Sequence, residues 1–286
     1  MWVWVVLVVM ALVVLLYRPV NGRRRGPALI KNSGPYWRRM YSRRNFLRLG
    51  GALVGVGVLA YSGADEACDR WYANHLRSDA TDRVAGVVEP FGRRFWFLYW
   101  LLLAILDSLY HSSALTRWGR RNFEAMMVGL PTLWSVQYGL GAARPTDQTH
   151  GPRWRPFADD NSASGHAFVA AIPWLNAARA AGAWPTRALA QAGSGLTAWS
   201  RINDQKHYLS QVLIGYSFAW SAVDAVWQSS PAGSVVPGDG QGDTTTLSQA
   251  GDVNHDTKNM DSSKQRDETL KKESLPHRRA DDNQNE

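Results

Sequence analysis

Two arginines, two histidines and a Ser-Gly pair stand in three separated stretches of this 286-residue chain: Arg144-Pro145, Ser164-Gly165-His166, and Ser200-Arg201 with His207 beyond it. A guanidinium is a planar fork of donors that matches a phosphoryl group and stays charged at any working pH. Arg144 and Arg201 would cover two phosphate oxygens. Ser164 offers a hydroxyl, and Gly165 lets backbone N–H groups approach closely because no Cβ intervenes. A helix starting at His166 would add its N-terminal amides and dipole. His207 could then attack phosphorus, while His166 protonates the leaving alkoxide and later activates water. An isolated Ser-Gly-His is a common tripeptide, and an arginine beside an apolar run is ordinarily an interface anchor. The signal is the joint order of three phosphate-compatible segments.

That order resembles the signature of the type 2 phosphatidic acid phosphatase superfamily, which also includes bacterial acid phosphatases and vanadium haloperoxidases. The signature has a Lys seven residues before Arg-Pro, then Pro-Ser-Gly-His, then Ser-Arg with a His six residues on and an Asp four beyond. The matching positions here are Gln137 with Arg144-Pro145, Ala163-Ser164-Gly165-His166, and Ser200-Arg201 with His207 and Gln211. The resemblance covers roughly residues 69–227. It implies His207 as nucleophile, His166 as acid/base, and Arg144, Arg201, Ser164 and Gly165 as the phosphate-binding set. Three positions depart from it. Gln137 replaces the Lys and removes a positive charge. Ala163 replaces Pro. Gln211 replaces the carboxylate that would hold the nucleophilic imidazole; its carbonyl can still accept the Nδ1–H bond, keeping geometry while losing charge.

The net charge of +8 raises the possibility of a nucleic-acid binder. The basic residues are not spread as a binding face, however. Arg23, Arg24, Arg25, Lys31, Arg38, Arg39, Arg43, Arg44 and Arg48 crowd between two apolar runs, the pattern of a cytoplasmic loop. The 14 tryptophans suit membrane interfaces as well as cores. Cys68 is the sole cysteine, so no intrachain disulfide can form.

Hydropathy lays out the elements that must carry these residues. Residues 2–17 are apolar and short for a span; a signal peptide is the alternative, without a charged n-region or cleavage site. Residues 42–48, Ser-Arg-Arg-Asn-Phe-Leu-Arg, read equally as a twin-arginine export signal or as positive-inside charges ahead of a span. Residues 69–91 are expected to form one short amphipathic helix outside the bilayer. Six apolar spans are expected to begin at Phe46, Phe95, Phe123, Ala167, Ala188 and Tyr208, with Arg117, Arg120 and Arg121 in a basic turn and a kink at Pro173. Alternating the spans from a cytoplasmic first loop puts the basic turns inside and all three phosphate segments outside. From residue 229 to 286 no aromatic residue occurs, and polar residues dominate. Such a tail is expected to be disordered, and it pulls the mean hydropathy down to −0.29.

The expected fold is therefore all-α: a six-helix transmembrane bundle of the phosphatidic acid phosphatase/haloperoxidase type. Residues 1–45 hold the extra apolar segment and basic loop, 46–228 the membrane domain, and 229–286 the tail. The expected activity is hydrolysis of a phosphate monoester or diphosphate on a lipid or small ester, through a phospho-histidine. The protein would be multi-pass in the inner (plasma) membrane, with its site facing the periplasm or cell exterior. Neither cofactor nor metal is required, and no nucleic acid is expected as partner. Two alternatives stand beside this: a catalytically impaired lipid-binding or scaffold protein of the same fold, and a vanadate-dependent haloperoxidase.

Overall fold

The computed structural model describes residues 33–109, 113–147 and 150–230. The apolar segment at residues 2–17 and the expected disordered tail beyond residue 230 lie outside the described residues. Among the described residues the elements are helical, without strands: α1 Ser33–Met40, α2 Arg43–Tyr61, α3 Ala64–His75, α4 Asp79–Val88, α5 Phe95–Leu109, α6 Ala114–Leu140, α7 Gly165–Ala180, α8 Trp184–Asn203 and α9 Leu209–Ser229. A 3₁₀ turn, Glu89–Gly92, joins α4 to α5, and another, Pro145–Asp147, follows α6.

Helix α9 is the axis of the fold. It packs against α1, α2, α6, α7 and α8, and Ile214, Phe218, Ala219, Ala222, Val223 and Val226 on it are wholly buried. Burial of this order contributes about 1.5–3 kcal/mol for each large side chain. Helices α5 and α6 pair as a hairpin, as do α7 and α8. Small residues make the close approaches possible: a Cβ on Gly129 would stand 2.7 Å from the Phe168 ring.

Sequence and structure differ in three places. The basic turn expected at Arg117–Arg121 is the opening of α6, which begins at Ala114 rather than Phe123. Ser113 and Thr116 form a reciprocal capping box there. Arg120 then pairs with Asp107 at 2.7 Å and with Glu124 at 3.0 Å, so helix and charges agree. The single amphipathic helix expected over residues 69–91 is two helices and a 3₁₀ turn, because Ser78 caps a fresh start at Asp79. The basic loop contains a helix, α1, whose Tyr36 and Met40 are buried. Apart from these three, Pro173, where a kink is expected, lies inside helix α7.

No single helix among the described residues is long and apolar enough to cross a membrane. The pair α2 and α3 meets that criterion together, bent by 67°.

The placement of the chemistry follows from chain direction. The C-terminal ends of α6 and α8 meet the N-terminal ends of α7 and α9, and the three phosphate-compatible segments lie at these four ends. The far ends are tied separately: Asp224 of α9 bonds Arg179 of α7 at 2.7 Å and faces Arg48 of α2 at 3.6 Å.

Candidate active site

Ser164 is the N-cap of α7, its hydroxyl accepting from the Ala167 N–H at 3.3 Å. A helix start beside His166 was legible from the sequence, and it lies one residue earlier, at Gly165. The Ser164 N–H donates to the Gln211 carbonyl at 2.8 Å, joining α7 to α9. At this junction a Cβ on Gly215 would clash with the Ser164 carbonyl oxygen, so only glycine allows α9 to touch the start of α7.

Gln211 is buried on the first turn of α9 and bonds three ways. Its Oε1 lies 2.9 Å from His207 Nδ1 and accepts the Tyr208 N–H at 3.2 Å. Its Nε2 donates to the Ala143 carbonyl at 2.8 Å. This amide therefore ties the nucleophile candidate, one turn away, to the residue preceding Arg144. Asp65 of α3 accepts the Ser210 N–H at 2.9 Å and so caps the start of α9 from a distance. Burial raises the Asp65 carboxyl above the ordinary aspartate value, against the Ser210 hydrogen bonds that lower it.

His207 follows a tight turn in which Gln205 takes a left-handed φ of 51°. The N–H groups of Lys206 and His207 both donate to the Arg201 carbonyl, at 2.9 and 3.2 Å. Burial pushes the His207 imidazole down to about 3, with Arg201, Arg144 and His166 pushing the same way and the Gln211 bond opposing them. The ring is thus neutral near pH 7, with a free electron pair on the nitrogen that Gln211 does not hold.

Arg201 is 7% exposed, and its Nε is buried without a hydrogen-bond partner. Its Nη1 lies 3.3 Å from Asp204 and 3.9 Å from Glu89. Arg144 donates through Nε to Asn161 Oδ1 at 2.9 Å. His166 Nε2 lies 3.1 Å from Glu89 Oε1. Burial and then Arg201 lower the His166 imidazole, and Glu89 pulls it back up.

The seven sequence-derived residues thus occupy one end of the bundle: His207, His166, Gln211, Arg144, Arg201, Ser164 and Gly165. Within this group Arg144, Arg201 and His166 are close enough to His207 to bear on its protonation. Gln137, at the position of the expected Lys, is committed to the backbone: its Nε2 donates to the Ala163 carbonyl at 2.8 Å, close to Gly165. No protein-family model, no curated protein and no solved structure matches this chain. The chemistry of the site therefore rests on its own geometry.

Sequence reading passed over Glu89, Asn161 and Asp65. Glu89-Pro90-Phe91-Gly92 carries a helix-stop signal that could have drawn attention to a docked turn, but the partner of its carboxylate, 77 residues away, leaves no local trace. Among the described residues no group of three or more His, Cys, Asp or Glu side chains could hold a metal ion.

Proposed function

We propose that this protein is a membrane phosphatase that hydrolyses a phosphate monoester or diphosphate, on a lipid, through a phospho-histidine intermediate, and that it belongs with the type 2 phosphatidic acid phosphatases. The observation that carries this is a buried arginine with an unpartnered Nε, set beside a neutral, amide-oriented histidine. Arg201 and Arg144 hold the phosphoryl oxygens. The free Nε2 of His207 attacks phosphorus; the P–N bond forms as the P–O ester bond breaks, and His166 gives its proton to the leaving oxygen. Water then attacks phosphorus, losing a proton to His166, and the P–N bond breaks to release phosphate. Preorganised guanidinium donors favour the charge-rich transition state over the ground state.

The membrane placement is part of the same proposal. Apolar side chains lie exposed along α2, α5 and α8, among them Phe46 at 74%, Val54 at 69% and Leu189 at 72%. A lipid surface accounts for them better than water does. In this proposal the apolar stretches that begin near Phe46, Phe95, Phe123, Ala167, Ala188 and Tyr208 lie in or against the bilayer as parts of their helices, and the site faces away from the cytoplasm. Head groups would enter between helix ends while acyl chains stay in the bilayer. A reporter fused after Trp227 is expected to read as cytoplasmic, and one inserted near Asp159 as extracytoplasmic.

The deciding experiment is phosphate release from a panel of lipid phosphates and diphosphates by the purified full chain, with His207→Ala as control. Release that survives in His207→Ala removes the phospho-histidine route. No release from any substrate favours the non-catalytic lipid-binding reading, for which the amides at Gln137 and Gln211 speak.

A further inference from the structure

The carboxylate expected beside the nucleophile is an amide, yet a carboxylate does stand in this site on the other histidine. Glu89 Oε1 is 3.1 Å from His166 Nε2 and 3.9 Å from Arg201 Nη1. Two further features hold it there. Arg93 pairs with the Glu89 carboxylate at 2.8 Å. The 3₁₀ turn Glu89–Gly92 lies against the His166 backbone so tightly that a Cβ on Gly92 would stand 2.7 Å from His166 Cβ and 2.9 Å from its Cα. The turn is anchored from α8 as well, where Thr197 Oγ1 donates to the Val88 carbonyl at 2.9 Å.

We propose that Glu89 is the positioning residue for His166: its carboxylate holds the imidazole through the Nε2 proton and stabilises the doubly protonated ring whose other proton goes to the leaving group. This rests on the phosphatase reading above. With Nε2 committed to Glu89, Nδ1 is the nitrogen that gives its proton to the ester oxygen and later takes one from water. The doubly protonated ring is stabilised by an adjacent negative charge, as triad carboxylates stabilise an imidazolium. The site has thus placed its anion on the acid/base histidine and a neutral amide on the nucleophile. That division suits the chemistry: the nucleophile must be unprotonated, and the acid must carry a proton.

The charged and titratable groups facing His166 set the sign. Arg201 comes from α8, His207 from the turn before α9, and Glu89 and Arg93 from the segment before α5; α6 contributes the neutral Gln137 near Gly165. Glu89 is the only anion among these, and it is held ionised: burial raises its carboxyl, and the Arg93 hydrogen bond with the His166 and Arg93 charges outweighs that and leaves it below the usual glutamate value. Removing it leaves His166 among cations.

The test is an NMR titration of His166 in the full-length, detergent-solubilised protein labelled at histidine, assigned by the signal lost in His166→Gln. Wild type is compared with Glu89→Gln and Glu89→Asp. The His166 pKa is expected to fall by about one unit or more in Glu89→Gln, the range for loss of a nearby opposite charge, and by less in Glu89→Asp. The alkaline limb of kcat/KM should move to lower pH by the same amount. An unchanged His166 titration in Glu89→Gln overturns the proposal. Should Glu89→Gln fail to fold, Glu89→Ala decides: an unshifted His166 titration there has the same meaning. A wild-type protein that releases no phosphate sinks the phosphatase reading, while the titration still decides whether Glu89 controls His166.

Discussion

His207 Nδ1 lies 2.9 Å from Gln211 Oε1, and the orientation of that amide is not free. The Ala143 carbonyl can only accept, so Nε2 must face it; the Tyr208 N–H can only donate, so Oε1 must face that. His207 consequently carries its proton on Nδ1, which leaves Nε2 unprotonated for the attack proposed above.

Gln211 variants separate geometry from charge. Gln211→Leu removes the acceptor for His207 and Tyr208 and the donor for Ala143, leaving buried groups unpaired. A loss of about 1–3 kcal/mol per unsatisfied group is expected, with single-turnover phosphate release down by roughly tenfold or more. Gln211→Glu supplies a charge for His207 but sets a carboxylate oxygen against the Ala143 carbonyl. Its His207 pKa should rise while its thermal stability drops. Wild-type release and melting in Gln211→Leu would show that this amide does not orient the ring.

The titration of His207 makes a stability prediction with a definite sign. Burial pushes its imidazole down to about 3 in the fold, against about 6.5 when unfolded. The unfolded chain therefore binds the proton more readily between those values. The contribution is fully present above about pH 6.5 and is lost as pH falls toward about 3. Thermal melts of His207→Gln should decline less steeply than wild type over that window. Parallel slopes would place the ring in a more hydrated setting.

Arg201 and Asn161 test the anion cradle. Arg201→Lys keeps a charge but loses the fork, and the inhibition constant for vanadate should rise roughly tenfold or more, since a charge-assisted hydrogen bond contributes about 1.5–3 kcal/mol. Asn161→Leu leaves the Arg144 Nε without its partner at 2.9 Å and should weaken vanadate inhibition by a smaller factor, with the melting temperature nearly unchanged. Equal inhibition in all three proteins would exclude Arg201 from the cradle.

Two glycines in adjacent helices should respond oppositely to alanine. In Gly215→Ala the new methyl clashes with the Ser164 carbonyl, and overpacking of this kind costs about 1–3 kcal/mol; phosphate release should fall with it. In Gly195→Ala nothing lies within 4 Å, and the better helix former should add about 0.5–1 kcal/mol. Melting curves read both, and a stabilised Gly215→Ala would contradict the close junction of α7 and α9.

What the sequence made legible was whatever is written in short spacings. Ser164 before Gly165-His166, at the close of a polar loop, marks a capped helix start, and α7 begins there. The four-residue step from His207 to Gln211 is one helical turn, and the two side chains meet. The start of α6 was hidden because charge runs read as loops. Arg120 instead finds its partners on its own helix and on α5, and Arg121 lies over the Trp227 ring at 3.9 Å. Glu89, Asn161 and Asp65 were invisible for another reason. Their site partners His166, Arg144 and Ser210 stand 77, 17 and 145 residues away, and a single sequence carries no mark of such pairings.

Those distant pairings bear on how the protein comes together in time. Ser210 waits for Asp65, 145 residues before it, His166 for Glu89 and Gln211 for Ala143, with separations of 77 and 68 residues. The closure entropy of such loops must be met before their contacts reward it. Helices and neighbouring hairpins can form early in synthesis, but α9 is the last described element to emerge, and the bonds to Ala143, Ser164 and Asp65 all wait for its first turn. For the proposed phosphatase, the site is then the last part of the described residues to assemble. On heating, phosphate release should be lost before helical circular dichroism, as the seam around α9 loosens while the hairpins persist.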